Sequence, residues 1–132
     1  MDLLVNELAA SAPWLTEELS FKVKFEKYHL VILSNGIVSI RSVRDRGLLL
    51  VDVAPTKERD EYIPLPVVYE ALTGRRNIGS PRPPPIAEVR EMLPVVANAF
   101  ADNWPDAKRR ISDLVAKRKR LLEAMGARKP AN

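Results

Sequence analysis

The chain has 132 residues, 46% hydrophobic and 29% charged, with a formal net charge of +4; that suits one domain with its own core and is too apolar for a disordered segment. With no cysteine and one histidine, disulfides, thiolate nucleophiles, zinc ribbons and iron–sulfur ligation are excluded. The first residues lack the basic n-region of a signal peptide, and no stretch approaches the roughly 20 apolar residues of a membrane span, so the expectation is a soluble cytoplasmic protein.

Residues 2 to 12 read as a short helix, with Leu4, Leu8 and Ala12 at four-residue spacing, Asp2 and Glu7 placed early, and Pro13 as its stop. Thr16-Glu17-Glu18-Leu19 reads as one more turn. Phe21-Lys22-Val23-Lys24-Phe25-Glu26 then alternates strictly, which predicts a strand with Phe21, Val23 and Phe25 on one face.

Asn35-Gly36 lies between two apolar runs and predicts a type I′ hairpin that pairs Leu33 with Val38 and Val31 with Ile40. For the next hairpin a four-residue loop, Arg44 to Gly47 with positive φ at Gly47, pairs Val43 with Leu48 and Ile40 with Val51. Val31, Leu33, Val38, Ile40, Leu49, Val51 and Val53 then share one face. The opposite face carries Ile32, Ile37, Val43, Leu48 and Leu50, so it also calls for a cover, either a helix or another chain.

Leu65 to Gly74 reads as a short helix with Pro66 in its first turn and Gly74 as its stop. Residues 75–85 form a proline-rich linker ending in an extended Pro81-Arg82-Pro83-Pro84-Pro85. Its PxxP spacing reads as a spacer more readily than as a ligand for an SH3-type domain.

Beyond the linker, residues 86 to 104 carry a helical apolar stripe that Pro94 should kink or divide. A break at Asn103-Trp104-Pro105-Asp106 leads to a last helix ending near Met125, with Gly126 as its stop. The fold class is therefore α+β: an antiparallel meander of about four strands, an N-terminal helix and two C-terminal helices. Residues 1–74 form the helix-and-sheet core, 75–85 the linker, and 86–132 a basic helical segment packed on the same domain.

Catalytic apparatus is not visible. The lone His29 follows Tyr28 in a loop, with no partner or pocket to make it a base. Asp45, Asp52, Glu58, Asp60 and Glu61 do not form an evident metal cluster, and there is no phosphate loop, GxSxG elbow or Ser-x-x-Lys box. No enzyme activity, cofactor or metal is expected.

Charge is the sharper clue. Residues 1–85 hold 11 Lys/Arg against 11 Asp/Glu, and residues 86–132 hold 10 against 6, so the whole excess lies in the C-terminal third. At 100° per residue, Lys117 and Lys119 flank the last helix's apolar stripe and Arg120 lies opposite it. Acids stand at pairing distance as Asp106/Arg110, Arg109/Asp113, Asp113/Lys117 and Lys119/Glu123, which makes much of this charge a solvated face. Arg118 falls within the stripe, where it must snorkel, pair with a buried acid, or face a partner. Arg41, Arg44 and Arg46 form a second basic feature at a hairpin tip. These seven residues are the candidate partner contacts.

Phe21-Lys-Val-Lys-Phe-Glu-Lys-Tyr28, Ser39-Ile-Arg-Ser-Val-Arg-Asp-Arg-Gly47 and Leu50-Val-Asp-Val-Ala-Pro55 resemble a family of small bacterial proteins of unassigned function. That family shares a VRDRG hairpin and a VDVA strand, and some of its members resemble immunity proteins of toxin systems. The likeness covers roughly residues 14 to 73. It implies the meander and a bacterial cytoplasmic origin, and transfers no catalytic residue. The expected function is non-catalytic binding of another protein, a toxin among the candidates, or of a second copy as a homodimer; nucleic-acid binding through the last helix is the alternative.

Overall fold

The computed structural model describes residues 3–45, 48–58, 61–74 and 86–126. The fold is α+β. Helices α1 (Leu4–Ser11) and α2 (Trp14–Glu17) lead into strands β1 (Lys22–Lys27), β2 (Leu30–Ser34), β3 (Val38–Asp45) and β4 (Leu48–Pro55). A 3-10 turn at Thr56–Glu58 precedes β5 (Ile63–Pro64), α3 (Leu65–Thr73) and α4 (Ile86–Ala124). The five strands form one antiparallel meander in chain order. The fifth strand is one more than the sequence suggests, because two residues ending in proline leave no alternation to read.

Both hairpins differ in register from the expectation. Leu33 pairs with Ile40 and Ser34 with Ser39, so the first turn is centred on Gly36-Ile37. Gly36 takes φ +91°, the positive value that a type II′ turn places at its first central residue. Asn35 serves the turn with its side chain: its Oδ1 accepts from the N–H groups of Ile37 at 3.0 Å and Val38 at 2.9 Å. In the next hairpin Asp45 pairs with Leu48 and Arg44 with Leu49, so the ladder runs closer to the tip than a four-residue loop allows. Arg46 and Gly47, with the positive φ expected there, lie outside the described residues.

Each register moved by two residues, and two is the side-chain period of a strand, so every β2–β4 residue kept its face. Val31, Leu33, Val38, Ile40, Val51 and Val53 are buried on the inner face. Strand β1 behaves differently. A β-bulge between Val23 and Phe25 sets Val23 opposite Leu33 but Phe25 opposite Ile32, which turns Phe25 to the outer face, away from Val23.

All four helices pack on the inner face, in one core with residues from 4 to 111. The N–H of Leu4 donates to the carbonyl of Tyr28 at 3.1 Å, fixing the start of α1 over the β1–β2 turn, and Arg44 pairs with Glu7 of α1. Arg90 of α4 pairs with Glu18 and lies over the Trp14 ring. Helix α3 ends as expected, with Gly74 left-handed at φ 74°.

Helix α4 stays helical through Pro94 and departs from helical geometry at Asn103 alone (φ −156°, ψ 82°). Val89, Met92, Leu93 and Val96 are all buried around Pro94, and this packing outweighs the one hydrogen bond that the proline removes. At Asn103 the chain restarts with a cap: Asn103 Oδ1 accepts from the N–H of Asp106 at 3.1 Å. The two expected C-terminal helices are thus two limbs of one run.

The Gly36 turn yields a direct prediction. An added Cβ would meet nothing within 4 Å at Gly36, so Gly36→Val tests backbone strain free of clash. Denaturant unfolding should show a loss of about 1–3 kcal/mol; an unchanged midpoint would contradict the turn geometry.

Candidate interaction surface on the outer face of the sheet

With the helices gathered on one side, the outer face of the meander divides into a closed end and an open end. At the closed end the Thr56 hydroxyl bonds with those of Ser34 (3.0 Å) and Ser39 (3.2 Å), and both serines are buried. Arg41 donates to Asp52 at 2.8 Å, and its guanidinium lies 4.7 Å from the centre of the Tyr62 ring. These polar groups are matched among themselves.

The open end is apolar. Phe25 is 44% exposed, Leu48 45% and Leu50 36%. Ile32 and Val43 beside them are half-buried. Row by row, Ile32 pairs with Arg41, Leu30 with Val43, and Val43 with Leu50. Among the described residues, none of the helices covers this patch. The cover called for by the sequence is therefore not supplied by the C-terminal helices, which went to the inner face.

Two of the three hairpin arginines lie on opposite faces of the sheet. Arg41 and Arg44 are three apart on β3, so alternation sends one outward to Asp52 and the other inward to Glu7. Arg46 lies outside the described residues. Arg41 and Arg44 are thus held in separate ion pairs on opposite faces.

On the last limb, Arg118 pairs with Glu70 of α3, whose side chain is 7% exposed against 42% for the arginine. The buried acid is the reason this arginine lies in an apolar stripe. Only part of the expected salt-bridge pattern forms. Asp106 accepts from Arg109 at 2.5 Å and lies 3.1 Å from Arg110, and the hydrogen bond from Arg109 holds its carboxyl below the usual carboxylate range. Asp113, Lys117, Lys119, Arg120 and Glu123 make no ion pair among the described residues. Past Arg118 the helix projects from the body, with Leu121, Leu122 and Met125 49–70% exposed.

Sequence reasoning missed one further cluster. The indole N–H of Trp104 donates to Glu58, and Lys108 lies 3.7 Å from Glu58 and 3.5 Å from Glu61. This joins the last limb to the 3-10 turn, and a contact 46 residues long has no local signature.

His29 is exposed in the β1–β2 turn, where its carbonyl accepts from the N–H of Arg44 at 3.0 Å. Among the described residues no three His, Asp or Glu side chains are grouped to hold a metal. A cavity of about 60 Å³ beneath α1 is lined by Val5, Leu8, Thr16, Val31 and Leu33 among others, room for a water or two and little else. No described helix is long and apolar enough to cross a membrane. No protein-family model matches the chain, and neither a curated protein nor a solved structure does so.

Proposed function

We propose that this chain is a non-catalytic protein-binding module of the immunity or inhibitor kind, acting through the open end of its outer sheet face. The observation that carries the reading is the exposure of Phe25, Leu48 and Leu50 on a sheet whose helices have all gone to the other side. A rigid, apolar patch bordered by paired polar groups is the form that protein interfaces take, and an antiparallel sheet left wet on one side ordinarily alternates to polar there.

A second reading draws on Lys117, Lys119 and Arg120, exposed cations without ion pairs among the described residues. They suit the phosphates of a nucleic acid.

One experiment separates the two. Immobilised wild type and Leu50→Lys are compared for proteins retained from a lysate of the source organism, and for binding of a labelled DNA duplex across a salt series. Protein retention lost with Leu50→Lys, and no DNA binding, is the expected result. Identical retention by both proteins overturns the first reading. DNA affinity that falls with salt, and falls again when the three cations are neutralised, establishes the second.

A further inference from the structure

We infer that Asn35 is a site of self-modification, primed by the β2–β3 turn and held in check by the Ser34 hydroxyl. Among the chain's asparagines only Asn35 precedes a glycine, and a glycine nitrogen has no side chain beside it to hinder its approach to the asparagine side chain. The reaction open to this pair is cyclisation. The backbone nitrogen of Gly36 forms a bond to Cγ of Asn35 and gives up its proton to solvent, and the Cγ–Nδ2 bond breaks to release ammonia. A five-membered imide results. Water then opens the ring at either carbonyl, which leaves aspartate at position 35 or an isoaspartyl link whose main chain runs through Cγ; nothing is oxidised or reduced.

The turn acts on both reacting groups. Oδ1 of Asn35 accepts from the N–H groups of Ile37 at 3.0 Å and Val38 at 2.9 Å, so two backbone donors polarise the Cγ carbonyl and stand where the tetrahedral oxyanion forms. The electrophile is primed. The nucleophile is withheld, because the Gly36 N–H donates to Ser34 Oγ at 3.0 Å and must leave that bond before the nitrogen can turn to Cγ. Ser34 is itself fixed. It is buried, its hydroxyl bonds with that of Thr56 at 3.0 Å, and the Thr56 N–H donates to the carbonyl of Ile37 at 2.9 Å. Gly36 and Ile37 are exposed, so water and base reach the site without unfolding.

The two products act differently on the sheet. Aspartate still offers both N–H donors an acceptor, and a charged one binds them more strongly, so the pairing of Ser34 with Ser39 stands. The isoaspartyl link adds a carbon to the main chain just before the turn, which puts that pairing out of register.

Peptide mapping by mass spectrometry follows residue 35 of the full chain, folded and in denaturant, in warm, mildly alkaline buffer. Wild type should convert at least about tenfold more slowly folded than denatured, because the bonds that close the turn must open first. Folded Ser34→Ala should convert about fivefold faster than folded wild type, the effect of one hydrogen bond of ordinary net strength. Ser39→Ala is the control. It removes the other hydroxyl bonded to Thr56, at 3.2 Å, and leaves the Gly36 N–H engaged, so it should convert at the wild-type rate. Circular dichroism shows whether the variants fold; if Ser34→Ala does not, Thr56→Val, which releases Ser34 from its anchor, takes its place with the same expectation. Wild type converting equally fast folded and denatured, Ser34→Ala no faster than wild type, or Ser39→Ala as fast as Ser34→Ala overturns the inference.

Discussion

Replacing Arg118 by leucine should lower the unfolding free energy by about 2–4 kcal/mol, because it leaves Glu70 as a buried carboxylate without its partner. Removing one member of a fully buried pair costs about 3–5 kcal/mol. Here the arginine side chain is 42% exposed and the glutamate 7%, so water recovers part of the loss and the figure falls lower. The mechanism is open to a double-mutant cycle. Glu70→Leu with Arg118→Leu removes both charges and should recover most of the stability, since an apolar pair of similar volume replaces a buried ion pair at little cost. Denaturant midpoints of the four proteins decide it. If the single and double variants are equally destabilised, the loss is packing around residue 118 rather than an orphaned charge.

Truncation after residue 85 should abolish the fold. It removes Val89, Met92, Leu93, Val96, Phe100, Ala107 and Ile111, all buried in α4. At about 1.5–3 kcal/mol for each large side chain, the loss is on the order of 10 kcal/mol or more, comparable to the whole stability of a domain, about 5–15 kcal/mol. Truncation after Arg120 removes residues 121–132, of which the described ones, 121–126, are exposed, and should change stability by less than about 1 kcal/mol. Circular dichroism and thermal melts of the two shortened chains give the comparison. A folded 1–85 fragment would mean that α4 is an appendage and that the core lies elsewhere.

The inner and outer faces of β2 to β4 were legible because alternation has period two, so a register error of two residues moves no side chain across the sheet. Turn placement was not legible at that resolution. Asn-Gly fits the two centres of a type I′ turn, and here Asn35 instead stands one place earlier and uses its side chain as the acceptor. The flip of Phe25 left no trace in an unbroken alternation, because a bulge is made by pairing and not by composition.

On the last helix the angle of Arg118 showed that something unusual was required of it. Its partner Glu70 is 48 residues away, beyond the reach of local pattern. Pro94 failed as a breaker because the apolar side chains on both sides of it are committed to the core. The open apolar end of the outer face was legible in outline, and the side to which the C-terminal helices would go was not.

The meander has a consequence for the order of events during synthesis. Each strand pairs with its neighbour in sequence, so the ladder is a low-contact-order structure whose closures are short and fast. The longest of the helices that shield its inner face begins at Ile86, thirty-one residues past the end of β4 at Pro55. At about 5–20 residues per second, a ribosome needs seconds to deliver that helix, and strand pairing needs far less. For that interval the nascent chain carries apolar surface on both sides of its strands, which makes it a client for chaperones at this stage more than at any later one.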